Sequence, residues 1–476
     1  MNELARRVIE SLHAGDPNVD DLSRAGSPQP AEDALALGAA ARDPDLAPRI
    51  EDWLPALLSS ASPGAGARRL VSIADEGRRR GRPPGAPFAG AVLAHVLGNS
   101  HFLGRWLLRE PSWQGDLSGA IAPPPPRAPA DAGWSELRRT KYRGLLRIAA
   151  RDLARPFDDG LSELSDLADD ILRRALVLAA GEREAPALFA LGKLGGRELN
   201  FSSDVDLLFV CEAPPDEHGH AARESAAAVV RELKRRVDER TDEGFLYRVD
   251  LDLRPEGPPG ALVRGVEGAL GYYELRGAEW ERQMLLRLRH LGGSARAARR
   301  FERGIEPFVY RRSIDPGVID AVRAMKTRIE TERRERGSDL DANLKEGPGG
   351  IRDVEFTVQA LQLFHAGRRP DLRTGNVFAA ITGLASLGLL PAASAAVLED
   401  GYRWLRRAEH ALQLAEEQQT AQLPRDAAER TAVARRMGYA EAAATDATRR
   451  FEADLARTRS QVREQFEALV LGSAPR

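Results

Sequence analysis

Two aspartates one residue apart open the apolar run "SSDVDLLFV" at residues 202–210, and the glycine-rich stretch "LGKLGG" lies just ahead of them. In an extended strand, residues two apart point to the same side, about 6.6 Å apart along the chain. Asp204 and Asp206 therefore turn both carboxylates to one face, while Val205 points the other way. Two anions so placed repel unless a cation lies between them. A hard divalent ion, Mg²⁺ or Mn²⁺, takes oxygen ligands of this kind. A second segment, "YRVDLDLRP", alternates in the same way, with Arg248, Asp250, Asp252 and Arg254 between Tyr247, Val249, Leu251 and Leu253. If it forms a strand beside the first, Asp250 joins the pair. Three acids can then hold two metal ions about 3.5–4 Å apart, the arrangement that supports in-line nucleotidyl transfer.

The lead-in supplies the other half of such a site. Gly192, Gly195 and Gly196, with Lys193 among them, let the backbone approach a ligand closely and expose its amides. Ser202 and Ser203 add hydroxyl donors, so the stretch reads as a cradle for the phosphates of a nucleotide. The plainer alternative is a turn that merely leads into a strand. The glycine loop and the third acid, Asp250, weigh against it.

Other charged stretches are open to two readings. In "EWERQMLLRLR", Arg282, Arg287 and Arg289 are cations for phosphate, or members of a salt-bridged face. Arg254 shares the acid face of its segment and has Asp252 as an ordinary partner. "KEGPGGIRDVEFTVQ" sets two glycines before a helix, with Lys345 a phosphate contact and Glu355, Gln359 and Gln362 along one stripe; a structural turn and cap is the equal alternative. Cys211 reads as a small buried hydrophobe.

The elements that must position these groups follow from composition and periodicity. The chain has 476 residues, 43% of them apolar and only 6% aromatic, which allows sizeable cores. Lys plus Arg total 69 against 71 Asp plus Glu, a net charge of −2, which argues against a generic nucleic-acid binder. One cysteine excludes an intrachain disulfide framework, the first residues lack the apolar core of a signal peptide, and no apolar run approaches a membrane span. The expected location is cytoplasmic, with no membrane partner.

Four consecutive blocks are expected. Residues 1–121 read as short helices broken by Pro and Gly, and 122–134, with four prolines in a row, as an extended linker. Residues 135–300 open with two amphipathic helices, then change period: "APALFALGKLGG", "VDLLFVCEA" and "GFLYRVDLDLRPEG" read as strands, with the helix "ESAAAVVRELKRRVDERT" among them. Residues 301–476 read as a helical bundle. The fold class is α+β with a small mixed sheet.

"ALGKLGGRELNFSSDVDLLF" resembles the signature of the glutamine synthetase adenylyltransferase/adenylyl-removing enzymes, members of the DNA polymerase β-like nucleotidyltransferases. The likeness continues through "GFLYRVDLDLRPEGPPGALV", "EGALGYYELRGAEWERQMLLRLR", "LKEGPGGIRDVEF" and "YRWLRRAEHALQL", from Trp134 to about Leu423. It implies a polymerase β-like catalytic domain and Mg²⁺ or Mn²⁺ on Asp204, Asp206 and Asp250. It also implies that Gly192, Lys193, Gly195, Gly196, Ser202, Ser203, Arg289 and Lys345 bind nucleotide.

The family enzyme carries two such halves, and "ELNFSSDVD" and "GAEWER" resemble the N-terminal one. The resemblance implies that phosphate attacks adenylyl-tyrosine on glutamine synthetase, releasing ADP; the other half transfers AMP from ATP. Glutamine synthetase is then the protein substrate, and a nitrogen-signalling PII protein a second partner. The alternatives are the forward adenylyltransferase, a nucleotidyltransferase acting on another regulatory protein, or a non-catalytic binding module. Two positions depart from the family pattern: Asp252 replaces a basic or neutral residue, and Asn343 stands where an Asp is usual.

Overall fold

The structure, a computed structural model, describes residues 3–81, 90–117, 129, 131–154, 160–214, 219–312, 317–337, 339–440 and 444–471. Most of the expected proline linker, 122–134, lies outside the described residues. The chain divides into two compact units that do not follow chain order. One is formed by Met1–Pro125, Tyr142–Gly160 and Leu405–Thr458, the other by Pro126–Lys141, Leu161–Trp404 and Arg459–Arg476. The expected helical block 301–476 is thus shared between the two units. No described helix is long and apolar enough to cross a membrane.

The first unit is helical in its described residues. Its helices start where local chemistry allows: Asn18 caps Val19–Arg24 through its side chain, Ser100 caps His101–Arg109 and Asp426 caps Ala427–Ala434. Pro30 and Pro63 occupy first turns, where the missing N–H costs nothing. Leu37, Leu54, Leu57, Leu70, Ile73 and Leu97 are fully buried in it.

The second unit holds the sheet. Its strands are β1 (Ala187–Ala190), β2 (Val205–Cys211), β3 (Val249–Asp250), β4 (Arg264–Gly265) and β5 (Arg289–Gly292). Their order is β3-β2-β1-β5, with β4 also pairing β2. β1 runs antiparallel to both β2 and β5, whereas β3 and β4 run parallel to β2, so the sheet is mixed. Every residue of β1 is buried, and in β2 only Asp206 is not, which is why both read as continuous apolar runs. Phe189, Leu208 and Val210 pack with Val266, Tyr273 and Phe301 from the helices Val266–Arg276 and Ala295–Val309. The architecture is α+β.

The second unit also contains, wholly or in part, the helices α1 (Trp134–Ala154), α2 (Gly160–Ala180), α3 (His220–Asp238), α4 (Ile351–His365) and α5 (Ala392–Glu416). Two of the basic residues of α1, Arg138 and Lys141, are buried. Arg138 pairs with Glu239, and Lys141 donates to the Phe245 carbonyl while lying 4.2 Å from the Phe245 ring centroid.

One element differs from expectation. The strand expected across 244–257 is only two residues long. The Asp250 carboxylate accepts the Asp252 N–H at 2.7 Å, turning the chain out of the sheet, and Pro255 and Gly257 follow in turns. Asp252 consequently stands in a turn with its side chain 66% exposed, and does not share a strand face with Asp250.

Candidate active site

β2 and β3 pair with Val205 opposite Val249 and Asp206 opposite Asp250, so two carboxylates separated by 43 intervening residues become direct neighbours. Helix α3 holds the short strand in place: Asp238 accepts the Val249 N–H at 2.6 Å, and Lys234 bonds both Asp238 and the Val249 carbonyl at 2.6 Å. Asp206 is pushed up to about 6, by burial first and then by the Asp250 charge, with Asp204 adding to it; Lys345 and Lys193 pull the other way. The acid is therefore surrounded by charges of both signs from three distant segments.

The glycine loop is built against this acid. Gly192 has φ +52°, and a Cβ there would fall 1.9 Å from Asp206 Oδ2. The Leu191 N–H bonds the Asp206 carbonyl at 2.9 Å, tying the loop to β2. Gly195 backs onto the Arg287 carbonyl, 1.9 Å from where a Cβ would lie. The loop's glycines thus serve close backbone contacts within the protein.

Ser202 and Ser203 are buried. Ser203 Oγ accepts the Asn200 N–H at 3.2 Å, and Ser202 receives the Arg248 guanidinium on its carbonyl at 2.7 Å and on its hydroxyl at 3.2 Å. The same guanidinium donates through Nε to Asp204 Oδ1 at 2.6 Å. No role for Arg248 followed from the sequence; its alternation with Asp250 was the available signal.

Arg289 is placed behind the loop. It grips both oxygens of Asp169 on α2, at 2.6 and 2.9 Å, and donates to the carbonyls of Leu194 at 2.7 Å and Gly195 at 3.2 Å. Those contacts tie the guanidinium to the back of the glycine loop. A second support was not foreseen: buried Arg287 lies 3.1 Å from Glu355 on α4 and 3.5 Å from Glu198, which accepts the Tyr402 hydroxyl of α5 at 3.0 Å and the Val377 N–H at 2.9 Å.

The remaining candidates divide. Glu281 caps the Ala278 N–H and receives the Tyr272 hydroxyl, while Arg282 donates to the carbonyls of Phe308 and Val309, so "EWER" is an internal brace. Arg254 is buried and donates to the carbonyls of Leu251, Pro258 and Gly260; Asp252 is a distant partner at 3.7 Å. Gln359 bonds Gln283, and Gln362 bonds the carbonyls of Leu372 and Thr374. Asn343 accepts the N–H groups of Lys345 and Glu346, shaping the turn that carries Lys345. Cys211 is buried, its thiol pushed up to about 11 by that burial.

Three carboxylates without sulfur or imidazole are the donor set that hard divalent cations take, and a partly desolvated acid facing a second acid gains from such a cation. Among the described residues no three His, Cys, Asp or Glu side chains are gathered closely enough to enclose a metal. Asp206 and Asp250 are aligned as a pair, and Asp204 is engaged by Arg248. In donor chemistry the residues fit a divalent ion.

Comparison with known proteins places most of the chain in a family. Residues 91–304 match the family described as glutamate-ammonia ligase adenylyltransferase, and residues 323–470 match the family described as GlnD PII-uridylyltransferase. A bifunctional glutamine synthetase adenylyltransferase/adenylyl-removing enzyme of Thioalkalivibrio sulfidiphilus is 40% identical over 353 residues, covering 70% of this chain and 35% of the relative. The chain belongs to the glutamine synthetase adenylyltransferase/adenylyl-removing family.

Two further family members carry the same name. That of Nitrosococcus oceani is 37% identical over 354 residues, covering 70% of this chain and 36% of the relative. That of Xanthomonas campestris pv. campestris is 35% identical over 410 residues, covering 80% and 43% respectively. The chain thus spans between 35% and 43% of the length of these three relatives.

Proposed function

We propose that this chain is a Mg²⁺- or Mn²⁺-dependent nucleotidyltransferase that acts on glutamine synthetase, removing AMP from adenylyl-tyrosine by phosphorolysis to give ADP. The observation that carries this reading is the Asp206–Asp250 register pair with the glycine loop packed against Asp206. The family and the names of its members support the substrate. The likeness of "ELNFSSDVD" and "GAEWER" to the N-terminal half supports removal over addition. A mixed sheet carrying acids on adjacent parallel strands supports a polymerase β-like fold for residues 135–300.

In this reaction an oxygen of phosphate bonds to the α-phosphorus as the bond to the tyrosine oxygen breaks. The departing phenolate takes up a proton, leaving tyrosine and ADP. Asp206 and Asp250, with Asp204, would hold the cation, which would supply neutralising charge for the attacking and leaving oxygens. Gly192, Lys193, Gly195, Gly196, Ser202, Ser203 and Lys345 form the nucleotide cradle, and Arg289 acts through the loop it braces. The match of residues 323–470 to a PII-uridylyltransferase family supports a PII protein as second partner. A single, buried cysteine supports a cytoplasmic location.

The test is incubation with adenylylated glutamine synthetase, phosphate and Mg²⁺. ADP release that disappears in Asp206→Asn supports the reading. Incorporation of label from ATP into glutamine synthetase instead assigns the forward direction, and no turnover in either direction overturns the catalytic reading.

A further inference from the structure

Arg248 is bonded directly to Asp204, a member of the acid set, and has no role in the proposed reaction. Its guanidinium is fixed at three points: Nε on Asp204 Oδ1 at 2.6 Å, and Nη2 on the Ser202 carbonyl at 2.7 Å and hydroxyl at 3.2 Å. The Phe245 ring centroid lies 5.8 Å from its Cζ. Asp204 and Arg248 are both partly open, with side chains 29% and 30% exposed, so neither is locked in a dry core. Their backbones are joined as well, since the Val205 N–H bonds the Arg248 carbonyl at 2.9 Å. The arginine therefore arrives with β3: the pairing that brings Asp250 to Asp206 also brings Arg248 to Asp204.

A carboxylate is strengthened as a cation ligand by its full negative charge, and a guanidinium in contact cancels much of that charge. Asp206 is faced instead by a second acid, Asp250, with Lys345 and Lys193 as the opposing charges. Asymmetry of this kind separates the three acids into a pair that repels and seeks a cation, and a third that already has one.

Resting on the proposed metal-dependent reading of this site, we infer that Arg248 is the resident counter-cation of Asp204, which a divalent ion must displace or share to recruit that carboxylate. Arg248 thereby sets the metal affinity of the site. The Ser202 carbonyl and hydroxyl keep the guanidinium within reach when it gives up Asp204, so the exchange needs no movement of β3. The arginine is a positioning residue in this account, acting on the ligand set.

The experiment is Mn²⁺ binding to the whole chain without nucleotide or protein substrate, followed by calorimetry or by the paramagnetic signal of free Mn²⁺. Arg248→Gln is expected to bind Mn²⁺ about tenfold more tightly than the wild type. In an Asp204→Asn background the same substitution is expected to change affinity by less than about twofold, because the carboxylate it competes for is gone. Unchanged or weaker Mn²⁺ binding in Arg248→Gln overturns the inference; weaker binding would make the arginine an orienting brace for Asp204. If Arg248→Gln does not fold, Arg248→Lys carries the test. It keeps the charge but cannot span Ser202 and Asp204 together, and is expected to bind Mn²⁺ between two- and fivefold more tightly, with equal or weaker binding overturning the inference. A wild type that binds no Mn²⁺ overturns the metal reading of the site together with this one. Mn²⁺ binding without any turnover on glutamine synthetase leaves the arginine's role intact and removes only the substrate.

Discussion

Gly192 lies so close to Asp206 that a Cβ on the glycine would fall 1.9 Å from the carboxylate oxygen Oδ2. The loop and the acid are therefore one structural feature, and a side chain at position 192 must displace one or the other. The positive φ of +52° adds a backbone cost of its own.

Gly192→Ala is expected to lose at least about 100-fold in ADP release while losing only about 1–2 kcal/mol of stability, since the strain falls on the acid proposed to hold the cation. Chemical denaturation and the activity assay, run on the same preparation, check the split. A variant with near-normal turnover would mean that the contact has no part in the reaction.

Asp206 is pushed up to about 6, so the folded protein holds its proton more tightly than the unfolded chain does. The sign follows from that: the penalty of this carboxylate is absent below the ordinary value of 3.8 and complete above about 6. In metal-free protein, melting at pH 4.5 and pH 7 should reveal this as a pH-dependent loss that Asp206→Asn removes. The variant should gain about 3 kcal/mol at pH 7 and only about a third of that at pH 4.5.

Divalent ions should reverse the same penalty. Added Mg²⁺ or Mn²⁺ is expected to raise the melting temperature at pH 7 and to do so much less at pH 5, where Asp206 is largely protonated. An equal rise at both pH values, or one retained in an Asp206→Asn, Asp250→Asn double variant, would place the ion elsewhere.

Arg289 and Asp169 form a forked pair behind the glycine loop, at 2.6 and 2.9 Å. Arg289→Lys cannot reproduce the fork, and is expected to lower kcat about tenfold while leaving Mn²⁺ affinity within about twofold. Asp169→Asn should produce the same pattern. A rise in the KM for phosphate with kcat unchanged would instead return Arg289 to the nucleotide-facing role that the family resemblance implies.

The buried Arg287 offers a stability test away from the acids. Arg287→Ala leaves Glu198 and Glu355 without their cation and should cost about 3–5 kcal/mol, measured by denaturant unfolding. Tyr402→Phe removes one hydroxyl from Glu198 and should cost about 1 kcal/mol.

Much of this was legible in the residues themselves. Local periodicity located α1, α2, α3, α4 and α5, because a helical face repeats within a few residues. The apolar runs of β1 and β2 marked buried strands, and the alternation of "DVD" with the distant Asp250 marked the acids. The length of β3 was not legible. An alternating stretch looks like a strand until a side chain turns it, and the Asp250 bond to the Asp252 N–H did so here.

What the sequence by itself determined is the α+β class, the main helices and the short set of residues able to do chemistry. Only the tertiary structure decided which charge meets which. A cation's type and position along the chain do not say whether it will face a phosphate, a carboxylate or a carbonyl. Arg248 meets Asp204 from 44 residues away, and Arg289 meets Asp169 from 120. Such encounters depend on strand register and on how helices pack against the sheet, so they are properties of the folded chain and of no short stretch within it.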